Sequence, residues 1–367
     1  MLFKISINFR RFIVGLFSSF ILLELYLTYN ASNTLRKCQF YLNHLFNVNT
    51  YRYKLQPEEA EFPLAFSILI YTDFDRAIRL IKTIYRPNNV YCVHVDRRVN
   101  SEIVFAIRQA ARYLGDNIYF VPDQSRVAVL WGYMSVLEPE LLCAKILLNV
   151  SKHWKYFINL TGQEFPLRTN WELIRALKSF SGFRLISYVK NFRSKVRFPN
   201  YHEFGEDVIK AKWDCNVDIG TPLIFLRIRI LVSGNARSMF CFTWYKGSIH
   251  IAAERNVIEY AVHDKKAIKL QELLRHHEAT SMFRTIPDET YFQTIYFNPL
   301  VFQIPGTSSR KDTKSWLLRT KFWKSSGQNC GSGVWIRNLC MFGLQDLQTL
   351  YKQPTFLRTN FTRILIR

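Results

Sequence analysis

The chain has 367 residues, 49% of them apolar and 16% aromatic, with 50 lysines and arginines against 28 aspartates and glutamates, a formal charge of +22. The apolar share excludes a disordered chain, the 21% charged share excludes a protein made mainly of membrane spans, and the length suits one large domain or two modest ones. The charge excess fits nucleic acid, an anionic membrane surface or an acidic ligand, and other features must decide among them.

Lys4, Arg10 and Arg11 precede an apolar run from Phe12 to Tyr29 whose one charge is Glu24. As a helix this run reaches about 27 Å, enough to cross a bilayer. It is longer than a signal-peptide core and no small-residue cleavage pattern follows it, so an uncleaved signal anchor is expected. The basic flank keeps residues 1–11 cytosolic, although Arg36 and Lys37 weaken the bias; 12–29 then lie in the membrane and the remainder in the lumen. A luminal chain argues against a nucleic-acid partner. Residues 30–62 are largely polar and read as a stem, and residues 63–367 as the folded domain.

Asn-x-Ser/Thr triplets begin at Asn30, Asn149, Asn159 and Asn360. Asn149 is the expected glycosylation site, because Asn30 is close to the membrane and Asn159 lies inside an apolar, strand-like run. Seven cysteines, an odd number, leave at least one unpaired. In an oxidising lumen the others read as disulfides, and no CxxC pair or HExxH segment suggests a metal.

From Pro63 the texture becomes regular. Ala65–Tyr71 is a short apolar run, Asp75–Tyr85 has helical apolar spacing, and Val90–Val95 is strand-like and ends at Asp96. Glu102–Tyr113 reads as helix, Ile118–Val121 as strand, about Gly132–Val150 as helix and Trp154–Leu160 as strand. This alternation predicts an α/β domain with a largely parallel sheet. Residues 190–245 are irregular and basic; Gly247–Ala253 and the helix-like Arg255–Asp264 then resume the pattern. Ligands of such sheets sit at the carboxyl ends of the strands. Here those ends carry Tyr71-Thr72-Asp73, Asp96-Arg97-Arg98 and Thr161-Gly162-Gln163-Glu164. No GxGxxG follows the first strand, so a dinucleotide site is not expected. Further along, Pro287 can open a helix whose first turn holds Asp288 and Glu289, an arrangement that helix-dipole stabilisation alone would explain.

Several segments occur in a telling order: FPLAFSILIY, IYRPNNVYCVHVD, Trp131-Gly132-Tyr133-Met134-Ser135, YFINLTGQEFPLRTNWELIRALK, KGSIHIAAERNVIEYAVHD, IPDETYF and VWIRNLCMFGLQDL. Together they resemble the core-2/I-branching β-1,6-N-acetylglucosaminyltransferases, a family that includes peptide xylosyltransferases, over about residues 62–362. The resemblance implies a Golgi type II membrane protein with a GT-A fold. It implies an inverting, metal-independent transferase that moves a sugar, GlcNAc foremost, from a UDP-sugar to a hydroxyl of an O-glycan-type acceptor. Xylosyl or other glycosyl transfer is the alternative, as is a weakened, glycan-binding relative.

Inverting transfer needs one base for the acceptor hydroxyl. The match to the family's Pro-Asp-Glu makes Glu289 that base, with Asp288 a neighbour. Asp73-Phe74-Asp75 has the Asp-x-Asp form of a metal motif but follows the first strand, and reads instead as a loop and helix start. The resemblance assigns the departing diphosphate to Arg337, a residue type that stays charged and can bridge two phosphate oxygens. A second family cation, a lysine, falls at Asn360; Arg358 or Arg363 could take its place, or activity could be weakened. Leu69, Asp96 and Trp131 match nucleotide-contacting positions, and Trp323 an aromatic beneath the acceptor sugar. Cys92 with Cys143 and Cys330 with Cys340 match family disulfides. Cys38 has no expected mate, and Cys215 and Cys241 pair with each other or stay reduced.

Overall fold

The computed structural model describes residues 55–179, 202–204, 207–211, 240–242, 244–280, 284–299, 301–306 and 318–358; at 202–204, 207–211, 240, 241 and 358 only the backbone is described. The expected cytosolic tail, the anchor at 12–29, the stem up to residue 54, Cys38, Cys215 and Asn360 lie outside these residues. Among the described residues, no helix is long and apolar enough to cross a membrane. All of them belong to a single compact unit, Leu55–Arg367.

A helical turn α1 (Pro57–Ala60) leads into β1 (Leu64–Ile70), followed by α2 (Phe74–Ile84), β2 (Val90–Val95), α3 (Ser101–Arg112) and β3 (Ile118–Phe120). Helix α4 (Glu138–Val150) precedes β4 (Tyr156–Thr161), the short β5 (Phe165–Pro166) and α5 (Asn170–Ser179). Strands β6 (His202–Phe204), β7 (Asp207–Ala211) and β8 (Phe240–Phe242) make a small sheet of their own. Then come β9 (Ala252–Glu254), α6 (Arg255–His263), α7 (Lys265–Thr280) and α8 (Tyr291–Phe297). The C-terminal part adds β10 (Arg319–Thr320), the hairpin β11 (Trp335–Ile336) and β12 (Leu339–Cys340), α9 (Leu347–Tyr351) and β13 (Leu357–Arg358).

The main sheet has the order β3-β2-β1-β4-β9; all pairs are parallel except the last, which is antiparallel. Its central strands are apolar on both sides because helices cover both faces. On one face Phe66, Ile68, Tyr91, Val93, Ile158 and Leu160 pack with Leu80 and Ile81 of α2, Ile107 of α3 and Ile174 of α5. On the other, Ala65, Cys92 and Phe157 pack with Leu141, Ala144 and Leu147 of α4 and with residues of α6, α7 and α8. This face of β1 carries small side chains, Ala65 and Ser67, which lets α4 approach. The Cys92–Cys143 disulfide, with Cα atoms 5.3 Å apart, joins β2 to α4 across that layer.

Two expected boundaries move. The helix predicted from about Gly132 begins at Glu138, because Gly132 has a left-handed backbone (φ +89°) and residues 134–136 form a separate 3₁₀ turn. The strand predicted at 247–253 is confined to β9, since residues 245–248 spend their hydrogen bonds on Glu289, Gln293 and Thr294. Within the segment read as stem, Glu59 of α1 is fully buried and accepts a hydrogen bond from Asn170 Nδ2 at 2.8 Å.

Candidate active site

The first side of the site forms at the carboxyl ends of β1 and β2. Asp96 is 2% exposed, and both its oxygens are occupied by protein donors: Arg98 N–H and Nε at 2.9 Å, Arg98 Nη2 at 2.8 Å and Val129 N–H at 3.0 Å. Burial would raise this carboxyl, but the Arg98 fork and the backbone N–H groups outweigh it and hold it at about 2. His94, lowered to about 4 mainly by burial, is a neutral acceptor for Val127 N–H at 2.9 Å. Together His94 and Asp96 pin the loop 127–131, at whose end Trp131 is 55% exposed with the Arg284 guanidinium 5.4 Å above its ring. Leu69, also expected at the nucleotide, is the one residue of β1 that is not fully buried, and it stands in register with His94 and Thr161.

Tyr71 extends β1 and donates from its hydroxyl to Gln163 Oε1 at 3.2 Å, bridging the ends of β1 and β4. Burial raises its phenol, and the charge of Arg337 is the largest influence in the other direction. Asp73 pairs with Arg76 at 3.0 Å at the start of α2, as the loop reading of Asp73-Phe74-Asp75 expects. Arg337 and Asn338 are the two turn residues of the β11–β12 hairpin, and both are left-handed, at φ 49° and 65°. A two-residue hairpin requires this geometry, which suits asparagine and strains arginine. Cys330 and Cys340, with Cα atoms 5.7 Å apart, are bonded and close the loop that contains the turn. Trp323 is 44% exposed and bridges to Leu339, while Lys324 N–H donates to Asn338 O at 2.9 Å. The expected acceptor platform and the expected phosphate ligand thus lie on touching segments.

The second side is built on residues 284–297. Pro287–Glu289 is a 3₁₀ turn, separate from α8, and Ile286 ahead of it is left-handed at φ 50°. Ile286 N–H donates to Gly132 O at 3.1 Å. Glu289 is partly exposed, and its Oε2 lies 2.8 Å from Lys246 Nζ. Asp288 is buried, and its carboxyl is pushed up to about 7, first by burial and then by the Glu289 charge.

Near Glu289 lies a buried polar cluster of which only Glu164, at a strand end, and Asn159, within a strand, stand out in the sequence. Asn159 Nδ2 donates to Glu140 Oε1 at 2.6 Å, and Arg319 donates to Asn159 O and, at 3.2 Å, to Glu164 Oε2. Glu164 Oε1 lies 3.2 Å from His250 Nδ1, and Lys321 Nζ donates to Ser248 Oγ at 3.5 Å. Burial pushes Glu140 up to about 8 and Lys321 down to about 8, and keeps His250 neutral. Lys321 is close enough to Glu164, Glu289 and Asp288 to feel all three charges. Hydrogen bonds and chain adjacency link Tyr71, Gln163, Glu164, Arg319 and Asn159, while Lys321 reaches Ser248, next to the Gly247 that donates to Glu289 O. Arg358, expected as a second diphosphate cation, has its backbone on β13 opposite Thr320 and Phe165, beside Lys321 and Glu164. Asn149 is exposed near the end of α4, and Asn159 is buried structure.

What the arrangement offers chemically is a partly exposed carboxylate at Glu289 and an exposed arginine at the tip of a disulfide-closed hairpin. Among the described residues, one set of three potential metal ligands converges: Cys330, Cys340 and Asp346. Its sulfurs are used in the disulfide and its carboxylate accepts from Gly331, Ser332 and Gly343 N–H groups, so it fits a structural role.

A family model described as core-2/I-branching enzyme matches residues 64–351. The chain is 29% identical to an N-acetyllactosaminide β-1,6-N-acetylglucosaminyl-transferase of Mus musculus over 313 residues, 84% of this chain and 70% of the relative. To the Homo sapiens protein of that description it is 29% identical over 311 residues, with the same shares. It is 26% identical over 322 residues to a Homo sapiens β-1,3-galactosyl-O-glycosyl-glycoprotein β-1,6-N-acetylglucosaminyltransferase, covering 84% of this chain and 68% of that one.

Proposed function

The chain belongs to the core-2/I-branching enzyme family, and we propose that it is an inverting glycosyltransferase of GT-A type that uses a UDP-sugar, UDP-GlcNAc first, to build a β-linked branch on an O-glycan or N-acetyllactosamine acceptor. The observation that carries this reading is a partly exposed Glu289, held 2.8 Å from Lys246 Nζ, in a domain whose disulfide-closed hairpin presents Arg337 with Trp323 beside it. In the proposed reaction the acceptor hydroxyl oxygen attacks the anomeric carbon, its proton passes to Glu289, and the bond to the diphosphate breaks with its electron pair on the phosphate oxygen. Arg337 then stabilises the charge growing on UDP, with Arg358 as second cation. Leu69, Asp96 and Trp131 belong to the nucleotide side, Asp96 by shaping the loop that ends at Trp131. Trp323 offers its exposed face to the acceptor sugar.

No metal ion takes part in this proposal, since Arg337 and Arg358 supply the cations. A Golgi location, with residues 12–29 as a type II anchor and the domain in the lumen, completes it. The test is UDP release by the purified full-length chain from UDP-GlcNAc and UDP-xylose, with a β-1,3-galactosyl-O-glycosyl peptide and N-acetyllactosamine as acceptors. Release that depends on acceptor supports the reading. Asn360, where the family has a lysine, favours a second reading, a weakened, glycan-binding transferase; glycan binding without UDP release would favour that one.

A further inference from the structure

The segment 245–248 is tied to the Glu289 region at several points. Gly247 N–H donates to Glu289 O at 2.7 Å, Gln293 Nε2 to Ser248 O at 2.7 Å, and Tyr245 N–H to Thr294 Oγ1 at 3.2 Å. Lys321 reaches Ser248 from the other side. Lys246 sits in the middle of this fastened stretch, and its ammonium lies 2.8 Å from Glu289 Oε2 with both side chains about a quarter exposed. Two long, freely rotating side chains on a protein surface gain little from pairing, because water screens them and ordering costs entropy. Here the backbones of both partners are already fixed to each other, so that ordering cost is reduced and the geometry of the pair is defined.

We propose that Lys246 is a positioning residue for the reaction: it clamps Oε2 of Glu289 and leaves Oε1 as the oxygen that receives the acceptor proton. This rests on the reading of Glu289 as the base. Before transfer the ammonium and carboxylate form an ion pair. During transfer the acceptor proton moves to Oε1, the new bond from the acceptor oxygen to the anomeric carbon forms, and UDP leaves with the electron pair. Lys246 keeps its proton throughout and ends beside a neutral carboxylic acid, which returns its proton to solvent and restores the pair. The clamp limits rotation of the carboxylate, and a misdirected base loses rate more than binding. Among the described residues, Asp288, adjacent in sequence, and Lys321 are further charged groups that interact electrostatically with this carboxylate.

The experiment compares Lys246→Met, Lys246→Gln and Lys246→Arg in the full chain, with UDP-GlcNAc and a β-1,3-galactosyl-O-glycosyl peptide, alongside Glu289→Gln. Methionine and glutamine should lower kcat about 10-fold or more while KM for UDP-GlcNAc changes less than about 2-fold, and arginine should recover most of the rate. Calorimetric UDP binding confirms that each variant is folded. Wild-type kcat in the methionine and glutamine variants, or an equal loss in the arginine variant, overturns the proposal. If Glu289→Gln abolishes transfer in that case, the base reading survives without the clamp. If Glu289→Gln retains wild-type kcat, the base reading fails and the clamp fails with it.

Discussion

The carbonyl oxygen of Gly132 accepts the N–H of Ile286 at 3.1 Å, and that single backbone bond joins the loop carrying Trp131 to the turn carrying Glu289. Both residues are left-handed, at φ 89° and 50°. The proposed nucleotide side and the proposed base side are thus coupled through two backbone conformations that most residues avoid.

Gly132→Ala tests this junction. A Cβ there would lie 2.8 Å from Arg284 Cδ on a backbone that disfavours it. The expected cost is about 1–2 kcal/mol in urea unfolding, with weaker UDP binding as Arg284 is displaced from Trp131. Unchanged unfolding and unchanged UDP affinity would mean that the loop adapts freely.

Arg337→Ala should lower kcat/KM by about 100-fold or more, since one preorganised donor at a leaving group is worth that much in comparable sites. Arg337→Lys should restore little, because an ammonium cannot bridge two phosphate oxygens in the plane of a guanidinium. Steady-state kinetics with UDP-GlcNAc decide it; full activity of the alanine variant would remove Arg337 from the site.

The Cys330–Cys340 bond closes a short loop around that arginine. Replacing both cysteines by serine should cost about 2–3 kcal/mol of stability. It should also raise KM for UDP-GlcNAc, because the hairpin tip loses its tether. A KM equal to that of the parent would show that the hairpin hydrogen bonds alone hold the tip.

Glu140 gives a prediction in pH. Burial pushes it up to about 8 from an ordinary 4.5, so the folded chain keeps a proton that the unfolded chain has released. Its contribution favours the fold fully below about 4.5 and is lost as pH climbs towards 8. Glu140→Gln keeps an oxygen for Asn159 and removes the titration. Relative to the parent, the variant should gain stability from pH 5 to 8 by at most roughly 1.4 kcal/mol per unit. Unfolding measured at three pH values would refute this if the difference between the two proteins stayed constant.

Transfer should proceed at an undiminished rate in EDTA, and added Mn²⁺ should not raise it, if arginines supply all the charge that UDP needs on departure. Loss of activity in chelator would assign that work to a metal ion.

Much of the sheet was legible because buried parallel strands are short apolar runs and their helices show one apolar face. Val90–Val95 agrees to the residue, and the helices at 75–85 and 102–113 are each displaced by one. Local pattern failed where long-range bonds override it, at Gly132 and at 247–251. The positions of Glu289, Arg337 and Trp323 came from motif resemblance, which periodicity could not supply. Glu140, His250, Arg319 and Lys321 left no trace in the sequence: the outermost are 181 residues apart, and each is a single polar residue in an otherwise ordinary segment. Only the fold brings them together, and only then does Lys246 acquire a meaning.

The hairpin turn at Arg337 has one more consequence. An arginine held at φ 49° is a residue the backbone would rather exchange for glycine. Arg337→Gly should therefore make the chain more stable and less active in the same step. On the proposed role of Arg337, foldedness and turnover pull in opposite directions at this one position.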